Sequence, residues 1–364
     1  MTPTLPGSEA AASVRREIDR TRMRARNGIR VVTGAYSPRV NSTPRDRVWT
    51  LDKVSVWRYR SDRRRFSPPV VLFLGLVSRS YVFDLRPGSS YVARLRDAGF
   101  DVYLIDWGVP NEADAELTFD YYIDEYLVRA LEAIRTDSGH PEVTAIAYCM
   151  GAAMALLLLG SGREVHVRQL VAITPPVDFR YVPTMSQPVA DGRIEPDDLI
   201  DPDTGLVPPE LITAFTRMRQ PTGELRQYIN LWDNLWRDEE QVEAMLAISR
   251  WAGDNVPASG QVVRQVVADY LRGNALYENR ARIAGRPVRL SAITIPVLIV
   301  TAEQDDVVPP GCSRPLAGML GSSDVEELRV PGGHVGLILG RHGSKAAFPK
   351  ILDWLERHSD EQDT

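Results

Sequence analysis

Residues 143 to 160 set a β-like run, a sharp turn and an all-apolar helix in immediate succession: Val143 to Ala147, then Tyr148-Cys149-Met150-Gly151, then Ala152 to Gly160. A strand running directly into a helix predicts a parallel sheet covered by helices, because antiparallel neighbours are usually joined by short hairpins. The turn Ala147-Tyr148-Cys149-Met150-Gly151 carries a nucleophilic side chain at its centre and small residues two positions to either side. Small flanks suit a tight strand-to-helix elbow, whose central residue stands above the C-terminal edge of the sheet. Here that residue is a thiol.

Similar units recur along the chain. Val70 to Leu74, Val102 to Ile105 and Leu170 to Ile173 are short uninterrupted apolar runs, with helical segments at Tyr91 to Ala98 and Phe119 to Arg135. Continuous Val/Ile/Leu runs predict strands buried on both faces. The pattern stops near Pro175, and from Arg180 to Val288 the chain is rich in Pro, Asp, Trp and Arg with helical apolar spacing. Val297 to Thr301 and Glu327 to Val330 then resume as strands, and Ala346 to His358 closes as a helix. The expected architecture is an α/β-hydrolase fold: a mostly parallel, doubly wound sheet with a mainly helical cap inserted after the sixth strand. The predicted division is an N-terminal arm (1–45), a core (46–180 and 288–358), a cap (181–287) and a C-terminal tail (359–364). The arm is read as partly disordered, with a helix near Val14 to Arg26, because Pro3, Pro6, Pro38 and Pro44 oppose any long element.

Composition narrows the class. With 364 residues, 44% hydrophobic and 25% charged, the chain matches an ordinary globular protein. A net charge of −5 argues against a general nucleic-acid binder. The first residues contain no apolar signal core, and Ala152 to Leu159 is too short to cross a bilayer. Cys149 and Cys312, the two cysteines, make neither a disulfide framework nor a zinc site, which predicts a reducing, cytoplasmic setting.

In the predicted fold the helix dipole and free N–H groups behind the elbow favour a thiolate at Cys149. The Met150 N–H points at a developing oxyanion, and a second donor is expected from Gly75 to Ser78, with Leu76 and Val77 the assigned residues. Cys312, in Pro310-Gly311-Cys312-Ser313, has no comparable setting and is read as structural. An acid and a histidine should follow the nucleophile, in that order, on loops after late strands. Of the five histidines, His140 precedes the elbow, His166 lies between elbow and cap, and His342 and His358 lie in or beside the last helix. His334, in Pro331-Gly332-Gly333-His334, is selected by elimination and position. Asp305 is preferred as the acid over its neighbour Asp306, with Asp178 third.

A cysteine acyl-enzyme is a thioester, close in energy to an acyl-CoA. Such a site is therefore suited to acyl transfer, provided water is excluded. The cap, with Trp232, Trp236 and Trp251, is the expected source of that exclusion.

From about Val70 to Leu355 the chain resembles the polyhydroxyalkanoate synthases, closest to the short catalytic subunit of the two-subunit class. The resemblance is carried by Tyr81-Val82-Phe83-Asp84-Leu85-Arg86-Pro87, Asp101-Val102-Tyr103-Leu104-Ile105-Asp106-Trp107-Gly108 and Thr174-Pro175-Pro176-Val177-Asp178-Phe179. It continues through Gln304-Asp305 with Val308-Pro309-Pro310, and Pro331-Gly332-Gly333-His334-Val335-Gly336. The cap matches only at Tyr228-Ile229-Asn230 and around Arg250-Trp251.

The resemblance implies that Cys149 carries the acyl chain, that His334 activates it, and that Asp305 assists His334 or the incoming 3-hydroxyl. It implies 3-hydroxyacyl-CoA as substrate, a polyester as product, and no cofactor or metal. A homodimer, an accessory synthase subunit and docking on the polymer granule are further implications. The chain departs from the family's Gly-x-Cys-x-Gly-Gly with Ala147 and Ala152, and has Leu74 and Ser78 where the family has proline and asparagine. Two alternatives stand beside this reading: a thioesterase or intracellular polyester depolymerase using the same triad, and a non-catalytic granule-surface protein retaining the fold.

Overall fold

The computed structural model describes residues 6–33, 40–181, 187–218, 239–339 and 343–362. Trp232, Trp236, Tyr228-Ile229-Asn230 and His342 lie outside the described residues.

The strands of the main sheet are β1 (Asp46–Leu51), β2 (Val54–Tyr59), β3 (Phe66–Phe73), β4 (Phe100–Asp106), β5 (Val143–Tyr148), β6 (Val167–Ile173), β7 (Val297–Ala302) and β8 (Val325–Val330). Their spatial order is β1-β2-β4-β3-β5-β6-β7-β8. β1–β2 and β2–β4 are antiparallel, and every pairing from β4 to β8 is parallel. A ninth strand, β9 (Asp360–Glu361), pairs antiparallel with the start of β3. Six main-sheet strands precede the long insertion, four of them at the apolar runs read from the sequence.

Both faces of the sheet are covered. Along β3, Val71 and Phe73 point into one apolar cluster, while Val70 and Leu72 point into the other. The first cluster includes α3 (Val128–Ser138) and α4 (Met150–Gly160), and the second includes α2 (Tyr91–Asp97) and α7 (Phe348–Arg357). α4 is apolar all round because it is buried all round. Ala145 and Ala147 on β5 bury their small side chains in the same cluster as this helix.

Three features depart from the sequence reading. The arm forms one helix, α1 (Pro6–Val32), rather than the shorter segment expected. Pro6 is its first residue, where the missing N–H costs no hydrogen bond, so proline does not interrupt it. Near its end, Val31 packs with Val242 and Leu246 of α5 (Glu239–Gly253) in the insertion.

The β1–β2 hairpin was not expected. Its turn, Asp52-Lys53, lacks the usual glycine, and Asp52 itself takes the left-handed conformation with φ 49°. Finally, β3 starts at Phe66, ahead of Pro68 and Pro69. Those prolines sit where its pairing with β4 is irregular between Phe66 and Val70.

Candidate active site

Cys149 sits between β5 and α4 with φ 57° and ψ −124°, a backbone conformation that a non-glycine residue rarely adopts. Its N–H donates to the Ile173 carbonyl on the neighbouring strand at 2.8 Å, which ties the turn to the sheet. The elbow closes against the end of β3. A methyl group on Gly151 would lie 2.8 Å from the Leu74 backbone, so only glycine fits there. One on Gly75 would lie 2.9 Å from the Met150 Cβ. The sequence departures Ala147 and Ala152 are both fully buried.

The acid and base loops are held in register beyond the sheet. Glu303 N–H donates to the Val330 carbonyl at 3.0 Å, and Gln304 N–H to the Gly332 carbonyl at 2.9 Å. Gly332, with φ 113°, permits the bend that returns His334 toward the elbow. Asp305 Oδ1 accepts the Val307 and Val308 N–H groups, both at 2.8 Å, while Oδ2 lies 2.8 Å from His334 Nδ1. With Nδ1–H committed to Asp305, Nε2 is the ring nitrogen left for the Cys149 thiol, which lines the same cavity as His334. Asp305, His334 and Cys149 are thereby brought together. Asp306 is exposed, and Asp178 is engaged by Arg180 and Asn274 instead.

The electrostatics follow the geometry. Burial disfavours the His334 imidazolium, but the Cys149 sulfur and the Asp305 carboxylate outweigh that cost and push His334 up to about 9. Cys312 is different. It is 1% exposed, and burial, followed by the charges of Asp178, Asp305 and Cys149, pushes its thiol up to about 12. At neutral pH Cys312 is therefore protonated and inert.

Cys149 and His334 open onto a cavity of about 360 Å³. Leu76, Val77 and Met150, the residues expected to supply oxyanion donors, line it as well. The first N–H groups of a helix have no intrahelical acceptor, so the start of α4 presents unpaired donors beside the sulfur. The insertion contributes Trp251 and, from α6 (Gly260–Gln265) and the π-helical turn that continues it (Val266–Arg272), Val262, Val263, Val266 and Val267. Sequence reasoning named Trp251 but not the valines. Their i, i+1, i+4, i+5 spacing marks one helical face, the only signal that pointed to them.

Tyr148 was also missed. Its ring stacks on His334 with centroids 4.8 Å apart, and its hydroxyl donates to the His334 carbonyl at 3.3 Å.

Residues 68–340 match the α/β hydrolase fold family. The poly(3-hydroxyalkanoate) polymerase subunit PhaC of Allochromatium vinosum is 33% identical over 319 residues, covering 86% of this chain and 88% of that one. The subunit of the same name from Synechocystis is 29% identical, covering 87% and 85%. This chain belongs to the poly(3-hydroxyalkanoate) polymerase family. It is accordingly an enzyme of the acyltransferase class built on the α/β hydrolase fold.

Solved structures support the fold alone. A soluble variant of monoglyceride lipase from Saccharomyces cerevisiae superposes with a TM-score of 0.55 at 13% identity, over 89% of this chain and 98% of that one. The enol-lactonase of Burkholderia xenovorans gives 0.51 at 12%, over 86% and 100%. No helix among the described residues is long and apolar enough to cross a membrane.

Proposed function

We propose that this polymerase family member converts 3-hydroxyacyl-CoA into a polyester through a thioester on Cys149, releasing CoA. The observation that carries this reading is a strained Cys149 that shares its cavity with a buried His334, itself fixed by Asp305.

In the first half-reaction the Cys149 sulfur attacks the thioester carbonyl. The carbonyl oxygen becomes an oxyanion, which the Met150 N–H and a donor from Leu76 or Val77 stabilise. The carbon–sulfur bond to CoA breaks, and the CoA sulfur leaves as a thiol by taking the proton from the His334 imidazolium. One thioester is exchanged for another, so the acyl group remains activated. In the second half-reaction neutral His334 takes the proton of an incoming 3-hydroxyl, whose oxygen attacks the acyl-Cys149 carbonyl. An oxygen ester forms, the Cys149 carbon–sulfur bond breaks, and the chain is one unit longer. The apolar cavity wall favours this course over hydrolysis by keeping bulk water from the thioester.

The relatives are named as subunits, which favours assembly with further copies or with an accessory chain, at the polymer surface in a reducing cytoplasm.

Purified protein incubated with 3-hydroxybutyryl-CoA should release CoA and deposit insoluble polyester. Cys149→Ala should abolish both without unfolding the protein, and Cys312→Ala should leave both intact. CoA release with free hydroxy acid in place of polymer would instead identify a thioesterase. Equal loss from both substitutions would refute the assignment of the nucleophile.

A further inference from the structure

The loop that follows β3 is held at two ends by different parts of the molecule. At its start, the Leu74 carbonyl accepts the Trp107 Nε1–H at 2.7 Å, and Gly75 abuts Met150. From Val77 onward it is held by the insertion. Val256 N–H donates to the Val77 carbonyl at 2.9 Å, and Ser78 and Asn255 form an antiparallel bridge. Trp251 Nε1–H donates to the Arg79 carbonyl at 3.0 Å.

Asp254, between Trp251 and Asn255, takes hold of the loop's side chains. Its Oδ2 accepts the Tyr81 hydroxyl at 2.9 Å, and its Oδ1 the Arg79 Nε–H at 3.4 Å. Arg79 and Asp254 are each about one-third exposed, so their charge attraction is weak and the geometry of the acceptor is what matters. The segment held in this way includes Leu76, Val77 and Ser78, which line the cavity beside Cys149.

We infer that Asp254 is a positioning residue: it clasps the insertion to the loop after β3 and so sets the direction of the oxyanion-binding N–H groups. The inference rests on the acyl-transfer reading above. A carbonyl held at Val77 fixes the Val77–Ser78 peptide plane to which it belongs, and so limits the rotation left to the preceding Leu76–Val77 plane, which carries the Val77 N–H. Acylation of Cys149 develops charge on oxygen and needs those vectors; alkylation of the same sulfur by iodoacetamide develops none there.

The test compares two reactions of one sulfur in the full-length protein: single-turnover CoA release from 3-hydroxybutyryl-CoA, and iodoacetamide labelling of Cys149 followed by mass spectrometry. Asp254→Ala should slow the limiting single-turnover rate of CoA release by about tenfold or more, with the half-saturating concentration little changed and labelling changed less than about twofold. Tyr81→Phe, which removes one hydrogen bond and little volume, should show the same split to a smaller degree. Asp254→Asn, which keeps an acceptor oxygen, should recover part of the rate. Equal falls in both reactions would reduce Asp254 to a folding role, and unchanged CoA release would remove it from the mechanism; either overturns the inference. Wild-type protein that is labelled at Cys149 but releases no CoA would sink the acyl-transfer reading, and this inference with it.

Discussion

His334 holds its proton to higher pH than a free imidazole because the Cys149 sulfur and the Asp305 carboxylate both favour its charged form. Its buried setting works the other way and is outweighed. The pairing has a consequence for stability as well as for catalysis. A group raised from 6.5 to about 9 on folding stabilises the folded state fully below 6.5, and that contribution is lost as pH rises through about 9. NMR titration of the His334 ring should therefore give a midpoint near 9 in the native protein. Asp305→Asn should lower that midpoint, because one of the interactions favouring the imidazolium is gone. A wild-type midpoint at or below 6.5 would contradict the arrangement. The identity of this histidine could be read from order and position along the chain. The sequence also preferred Asp305 over Asp306, and the backbone aims Asp305 at His334 while Asp306 is exposed.

Among the elements, α6 and its π-helical continuation do most to shape the cavity. Val262, Val263, Val266 and Val267 face the same space as Cys149, and Val262 and Val267 are buried. Val263→Phe should shrink the cavity and discriminate against longer 3-hydroxyacyl-CoA esters by roughly tenfold or more in kcat/KM. The check is CoA release across esters of increasing chain length. Unchanged preference would place the acyl side chain elsewhere. The parallel strands of the core were legible as short uninterrupted apolar runs alternating with helical segments. The insertion was legible only as mainly helical, since its elements earn their place by packing on the core rather than by strong periodicity of their own. The β1–β2 hairpin escaped notice for a local reason: Asp52 supplies the left-handed turn conformation usually marked by glycine.

For the molecule as a whole, the sheet is the rigid reference. β3, β5 and β6 are interior strands with near-complete burial of their apolar residues, and β5 leads directly into Cys149. Hydrogen exchange should find the amides of these strands opening only with global unfolding, whereas α1, whose side chains from Glu17 to Arg22 are all exposed, should exchange by local opening. Fast exchange in β5 would mean that the elbow stands on a yielding base. The long α1 also illustrates how position matters more than count for prolines. Pro6 begins the helix, where it is tolerated, so the proline-rich flank did not divide the arm as its composition suggested.

The sequence alone determined the layered architecture, the place of the insertion and the thiol at the elbow. Each of these is written in contiguous residues: apolar runs, a break in their alternation, and small residues around a nucleophile. Only the tertiary structure decided how the Asp305 carboxylate meets His334, which valines wall the cavity, and that Asp254 reaches back to Arg79 and Tyr81. Those contacts join residues far apart along the chain, and their geometry depends on loop direction and side-chain packing, which no local pattern encodes.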